Sequence, residues 1–433
     1  MKMGVFTSGI ILGLTWLVID GHVNERYKRV CYFPSWKQYK PGADKFSIDD
    51  LSDPSLCTHI VVAFAGLNSE TFTIKPLESG ADGLRGSWRN ITRVKILYPN
   101  VNILLAIGGY NYGSLPFSKL VETDEGIKRF AENVVPYLRT NLFDGLDIDW
   151  EYPGQKGSPY TDRYRYTKLL KKLYDKFDEE TTQTGSPRLL LSLAVSVDKY
   201  IVDEGYEVRD IARYVDFVNL MTYDMYGDWA NVIGHHSALY GKPSDTPYMA
   251  VRNVNWVVSY WIKLGMPAEK LVVGIPFYGR SFAITNHTGS ILGSAFTSAG
   301  IGGPFTSKNG LIGAFELCQI LADPKYRIQW DYEALVPSAY STSDWIGYDD
   351  QKSIRLKCDY VKSNNLGGVM VWDISLDDFS GAFCHQGKFP LLREIKRMLA
   401  PARKVNIVSQ PVLTYRDYYR LWLNRFLGNV LRV

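Results

Sequence analysis

Short, continuous apolar runs alternate along the chain with longer stretches in which charged and apolar residues interleave. The runs are Val30–Phe33, His59–Phe64, Val101–Ile107, Phe143–Asp149, Leu189–Val195, Asp216–Thr222, Leu271–Phe277 and Gly368–Trp372. Each is rich in Val, Ile, Leu or Phe, the pattern of a strand covered on both faces. Glu125–Leu142 and Asp162–Glu180 instead repeat their apolar residues at helical spacing. Eight such strands alternating with helices predict an α/β chain folded as a (β/α)8 TIM barrel rather than an open sheet. The interval from Tyr278 to Gly368 is long for one strand-to-strand connection. Its interior, about 281–350, is rich in Gly, Ser and Thr and has room for a small α+β insertion domain before the last strand.

Both ends depart from this alternation. Met1 and Lys2 precede an uncharged apolar run from Met3 to Ile19, which breaks at Asp20-Gly21. That is the order of a secretory signal peptide, read here as 1–23. The run is a little shorter than the ~20 residues of a spanning helix, so an uncleaved anchor is the weaker reading. After removal of the signal, nothing left in the chain reads as a membrane span. At the other end, 401–433 carries Arg403, Lys404, Arg416, Arg420, Arg425 and Arg432 against a single acid, Asp417. Tyr415, Tyr418, Trp422 and Phe426 recur there at helical spacing, which reads as a helix packed on the barrel or a frayed end. A membrane-surface or partner helix is the alternative. The body between, 28–400, is the expected catalytic barrel.

Composition narrows the classes. Hydrophobic residues make up 46% and charged residues 22% of 433, the balance of a folded chain. A net charge of +4 is too small for nucleic-acid binding to be the default. Five cysteines allow at most two bridges and one thiol, and they fit an oxidising, extracellular compartment. Asn90-Ile91-Thr92 and Asn286-His287-Thr288 are glycosylation sequons usable only on a secreted chain. No C-x-x-C pair or helical H-E-x-x-H occurs, so neither a metal nor any other cofactor is expected, and His235-His236 reads as a structural loop. Aromatic residues reach 14%. Most belong in a core, but some can line a groove whose ring faces stack on sugars.

The chemistry concentrates in Asp144-Gly-Leu-Asp147-Ile-Asp149-Trp-Glu151-Tyr-Pro. Strand alternation puts Asp147, Asp149 and Glu151 on one face, about 6–7 Å apart per step, and Leu146, Ile148 and Trp150 on the other. Asp144 has the opposite parity and reads as structural. Three carboxylates on an inward face cannot all stay ionised, so at least one pKa must rise. A raised pKa keeps a carboxylic acid protonated for general-acid work near neutral pH. Acid clusters also bind Mg²⁺ or Ca²⁺, but a cation cage would not by itself call for a wealth of aromatics.

This stretch resembles the D-x-x-D-x-D-x-E signature of glycoside hydrolase family 18 chitinases. The resemblance runs from about Arg29 to Leu399. Cys31-Tyr-Phe-Pro-Ser-Trp36, Ile107-Gly108-Gly109, Met221-Thr-Tyr223-Asp224, Tyr278-Gly279-Arg280 and Gly367-Gly-Val-Met-Val-Trp372-Asp373 are similar to the family's other strand motifs, in the family's order. The resemblance implies endo-type hydrolysis of chitin or chitooligosaccharides, with retention, by a monomeric secreted enzyme. It implies a substrate-assisted route in place of two enzyme carboxylates. Glu151 is then the acid, Asp149 holds the substrate acetamide, Asp147 shares a proton with Asp149, and Tyr223 orients the acetamide oxygen. Trp372 is the implied floor beneath the sugar being cleaved, and Trp36, Tyr110 and Trp229 stack on neighbouring sugars. Tyr278, Arg280 and Asp224 are implied polar contacts, with Tyr32, Phe64, Gly109 and Met221 also at the substrate. Tyr110 stands where the family often has Trp, and Tyr226 where many members have His. The family also pairs the positions of Cys31 and Cys57. Cys318 and Cys384 would form the second bridge, leaving Cys358 free. The main rival is an inactive lectin of the same fold; such proteins typically lose the acid that Glu151 retains here. A relative that trims N-glycan cores is a third reading, which a long aromatic groove disfavours.

Overall fold

The computed structural model describes residues 25–401 other than 69, 84–85 and 286–290. The leader, the Asn286 sequon and the tail beyond Pro401 lie outside the described residues, whereas Asn90 is exposed on a short helix, Ser87–Thr92.

Eight parallel strands form a closed barrel: β1 (Lys28–Pro34), β2 (His59–Leu67), β3 (Asn102–Gly108), β4 (Gly145–Asp149), β5 (Leu190–Val195), β6 (Phe217–Leu220), β7 (Leu271–Pro276) and β8 (Gly368–Trp372). Each pairs with the next, and β1 pairs with both β2 and β8, which closes the ring. The continuous apolar runs follow from this closure. Ile103, Leu104, Leu105, Ala106 and Ile107 on β3 are all 0% exposed, so residues of both parities are buried between barrel interior and helical shell. The apolar runs extend beyond the hydrogen-bonded strands at several places. Phe143 precedes β4 and packs edge-on against Trp88 rather than pairing in the sheet.

The outer helices present one apolar face inward. Asp124–Thr140 buries Ile127, Phe130, Ala131, Val134 and Leu138, and the Thr123 hydroxyl accepts the Gly126 N–H at its start. Asp162–Thr184 stops at Gly185, whose φ of 69° suits glycine at a helix end.

Between β7 and β8 lies a second, antiparallel sheet running from Tyr278 to Gly347, with a helix, Ala314–Ile320. It has a small core of its own around Ile312, Leu317, Ala339 and Ile346. Its first strand, Tyr278–Ala283, begins directly after β7, so Tyr278 and Arg280 stand on this sheet, ahead of the composition change at Ser281. Disulfides join Cys31 to Cys57 and Cys318 to Cys384, and Cys358 is a buried thiol. Among the described residues no helix is long and apolar enough to cross a membrane.

Candidate active site

The inward face of β4 carries the carboxylates, and their surroundings change step by step along it. Leu146, Ile148 and Trp150 point outward into the shell, where Trp150 stacks on Phe117 and meets Tyr166 edge-on. Asp147 is fully buried and held by three donors: Tyr32 Oη at 2.7 Å, Ser192 Oγ at 2.6 Å and Asn219 Nδ2 at 3.3 Å. Burial pushes its pKa up to about 6, against the pull of those donors. Asp149 is also buried, but its Oδ1 has no hydrogen-bond partner among the described residues. Burial, and then the neighbouring Glu151 and Asp147 charges, push it well above the usual carboxylate range. Glu151, next toward the cleft, is pushed up to about 7 by burial, against the Tyr152 hydroxyl and the Lys156 ammonium. The deepest acid is therefore anchored, the middle one keeps a buried oxygen without a partner among the described residues, and burial raises the outermost toward neutrality. Asp144, at the start of the run, accepts the Ile103 N–H and the Lys95 ammonium, each at 2.8 Å, and ties β3 to β4.

The row opens into a cleft of about 1180 Å³ at the C-terminal ends of the strands. Asp149, Glu151, Tyr223, Tyr32, Trp36, Phe64, Gly109, Tyr110, Met221, Asp224, Trp229, Tyr278, Arg280 and Trp372 all line it. Asp147 does not reach it. Trp36, Phe64 and Trp372 stack in series, with ring centroids 5.9 Å apart at each step, into one aromatic wall. Tyr110 is 66% and Trp229 57% exposed, so these two rings stand at the surface rather than in a core. Gly109 has a φ of 90°, and a Cβ there would meet the Phe64 ring at 2.6 Å, so only glycine lets Phe64 lie flat.

Opposite the carboxylates, Asp224 is clamped by Arg280 Nε at 2.8 Å and Nη2 at 2.6 Å and accepts the Tyr278 hydroxyl at 2.7 Å. Although burial would raise its pKa, the Arg280 charge holds Asp224 well below the usual range. Tyr223 is 8% exposed, and its hydroxyl meets only the weak acceptor Met370 Sδ at 3.8 Å, which leaves it free to donate into the cleft.

Neighbouring contacts add detail to these positions. The hydroxyl of Tyr32 is committed to Asp147, so this residue positions an acid besides lining the cleft. His235 braces the second sheet, through Asp331 at 3.2 Å, and the buried His236 lies 3.7 Å from Asp224 and against the Tyr278 ring, behind the cleft lining. Tyr226 is buried against Tyr248, away from the cleft lining. Ser192 and Asn219 were signalled only by being polar within apolar runs. Among the described residues no group of three His, Cys, Asp or Glu side chains is arranged to hold a metal ion.

Known proteins resemble this chain over most of its length. A family model described as "Glycosyl hydrolases family 18" matches residues 28–377. The chain is 38% identical to Chitotriosidase-1 of Mus musculus over 389 residues, which cover 89% of this chain and 82% of that one. The Group IV chitinase of Ostrinia furnacalis, solved with allosamidin, superposes with a TM-score of 0.80 at 38% identity, over 86% of this chain and 99% of that one. Human YKL-39, described as a pseudo-chitinase that retains chitooligosaccharide binding, superposes equally well at 0.80 and 35% identity, over 87% of this chain and 100% of that one.

Proposed function

The chain belongs to glycosyl hydrolases family 18, and from that premise we propose that it is a secreted, endo-acting chitinase that hydrolyses β-1,4-linked N-acetylglucosamine chains with retention. Glu151 donates its proton to the leaving glycosidic oxygen. The N-acetyl carbonyl oxygen of the sugar on the other side of the bond attacks its own anomeric carbon and closes an oxazolinium ring. The Asp149 oxygen that lacks a partner among the described residues accepts the acetamide N–H and balances the positive ring. Tyr223 donates to the acetamide oxygen and fixes its aim. Glu151, now ionised, takes a proton from the incoming water, which opens the ring. Asp147, held by Tyr32, Ser192 and Asn219, trades charge with Asp149 during the cycle. The Trp36–Phe64–Trp372 wall and the open rings of Tyr110 and Trp229 suit several sugars of a polymer. Two disulfides and the leader-like first residues support an extracellular setting.

The observation that carries the reading is a buried Glu151, its pKa raised to about 7, one alternation beyond Asp149, whose buried Oδ1 has no partner among the described residues. The second reading is a binder without activity, favoured by the equal structural likeness to YKL-39. Incubation with a soluble N-acetylglucosamine hexamer, with products resolved by mass spectrometry, separates the two. Shorter oligomers are expected. Binding of intact hexamer with no products over long incubation would instate the second reading.

A further inference from the structure

At the cleft rim, Tyr110 meets Lys156, whose ammonium also acts through space on Asp149 and Glu151. The Lys156 ammonium lies 3.6 Å from the centroid of the Tyr110 ring, a close cation–π contact. It forms no close ion pair among the described residues. Its loop does not depend on that side chain. The Gly154 N–H donates to Ser158 Oγ at 2.9 Å, and that hydroxyl donates to the buried Asp162 carboxylate at 2.8 Å. Lys156 itself has a φ of 52°, a left-handed backbone that favours glycine, so a long cationic side chain stands at a strained position.

Resting on the chitinase reading above, we propose that Lys156 makes the sugar position on Tyr110 discriminate against glucosamine and in favour of N-acetylglucosamine. A sugar that stacks on Tyr110 must share its ring with the ammonium or displace it. The neutral acetamide of N-acetylglucosamine can lie beside a cation. The protonated amine of glucosamine meets a like charge and competes for the same electron-rich face. The Lys156 charge acts on Asp149 and Glu151, but burial pushes both toward their protonated forms, and Asp224 is paired with Arg280, which weakens the compensation these three acids offer. The loop thus reads the degree of acetylation next to the catalytic row, in addition to the acetamide that the reaction itself demands.

The test is digestion of partially acetylated chitosan by the wild type, Lys156→Gln and Lys156→Arg, with two sugars sequenced inward from both new chain ends by mass spectrometry. One sugar position should lose its N-acetylglucosamine enrichment by roughly five- to ten-fold in Lys156→Gln, the scale of one like-charge contact at a wet rim. Lys156→Arg keeps the charge and should keep the enrichment. The new reducing end, which carries the acetamide nucleophile, should stay N-acetylated in all three. Identical sequences from wild type and Lys156→Gln, or an equal shift at every position, would overturn this inference alone. No cleavage by the wild type would overturn the chitinase reading and this inference with it.

Discussion

Two clusters of buried acids sit on loops and strand ends at the same mouth of the barrel, one after β4 and one after β8. Asp377 and Asp378 follow β8 and are 0% and 1% exposed. Asp377 accepts the N–H groups of Leu391, Leu392 and Asp378, so it caps the start of the helix Pro390–Leu399. Asp378 accepts those of Gly381, Phe383 and Cys384. Burial raises the Asp377 pKa to about 7, as high as that of Glu151. A raised pKa therefore does not tell the clusters apart. Their hydrogen bonding does. The acids after β8 spend their oxygens on backbone that would otherwise be unpaired, whereas Asp149 keeps an oxygen without a partner among the described residues beside the cleft. Acids of the first kind hold a loop in place, and on the proposed reading an acid of the second kind has an oxygen left for the substrate.

Substitutions in the two clusters should separate catalysis from stability. Glu151→Gln keeps the shape of the side chain but removes the transferable proton. Its kcat/KM on chitooligosaccharide should fall by at least about 10²–10⁴-fold while oligosaccharide binding survives. Retention of more than about a tenth of the wild-type rate would withdraw the role given to Glu151. Asp377→Ala should leave activity per folded molecule near wild type but cost about 3–5 kcal/mol in urea unfolding, because three buried N–H groups lose their acceptor. An unchanged midpoint would mean that water replaces the carboxylate.

The smallest effect concerns pH. The Glu151 carboxyl moves from an ordinary 4.5 to about 7 on folding. Between those values the native state binds a proton that the unfolded state has lost, so this group's contribution to stability falls as pH rises through that window. Glu151→Gln removes the penalty and should be about 3 kcal/mol more stable than wild type above pH ~8, with little difference below ~4. The same pKa places the alkaline limb of wild-type kcat/KM near 7, because the acid must carry its proton. Parallel stability curves for the two proteins would show that Glu151 is not the group with the raised pKa.

How much of this was legible in the sequence follows from which interactions are local. Both-face burial writes itself as continuous apolar runs, so the eight barrel strands could be read directly. The two-residue period of β4 put Asp147, Asp149 and Glu151 on one face without any knowledge of the fold. Parity gives a face but not a depth, however. Asp147 lies below the cleft, and Tyr32, from the far-off first strand, is tied to it. The donors Ser192 and Asn219 reach Asp147 only because barrel closure brings β5 and β6 around, and chain spacing carries no record of that. His236 looked like part of a loop because its meaning depends on Arg280 and Tyr278, which arrive on the first strand of the second sheet.

The central claim is that the substrate's acetamide, assisted by Asp149 and Tyr223, is the nucleophile, and the need for an N-acetyl group on the sugar before the cut, read together with the configuration of the first product, tests it most directly. Early digestion of N-acetylglucosamine hexamer, followed by NMR of the new reducing ends, should show the β-anomer first, because two displacements at one carbon restore configuration. Cellulose and fully deacetylated chitosan, which lack the acetamide, should stay uncut even where they bind. An initial α-anomer, or efficient cleavage after a glucosamine unit, would mean that water or an enzyme carboxylate attacks directly, and would contradict the account.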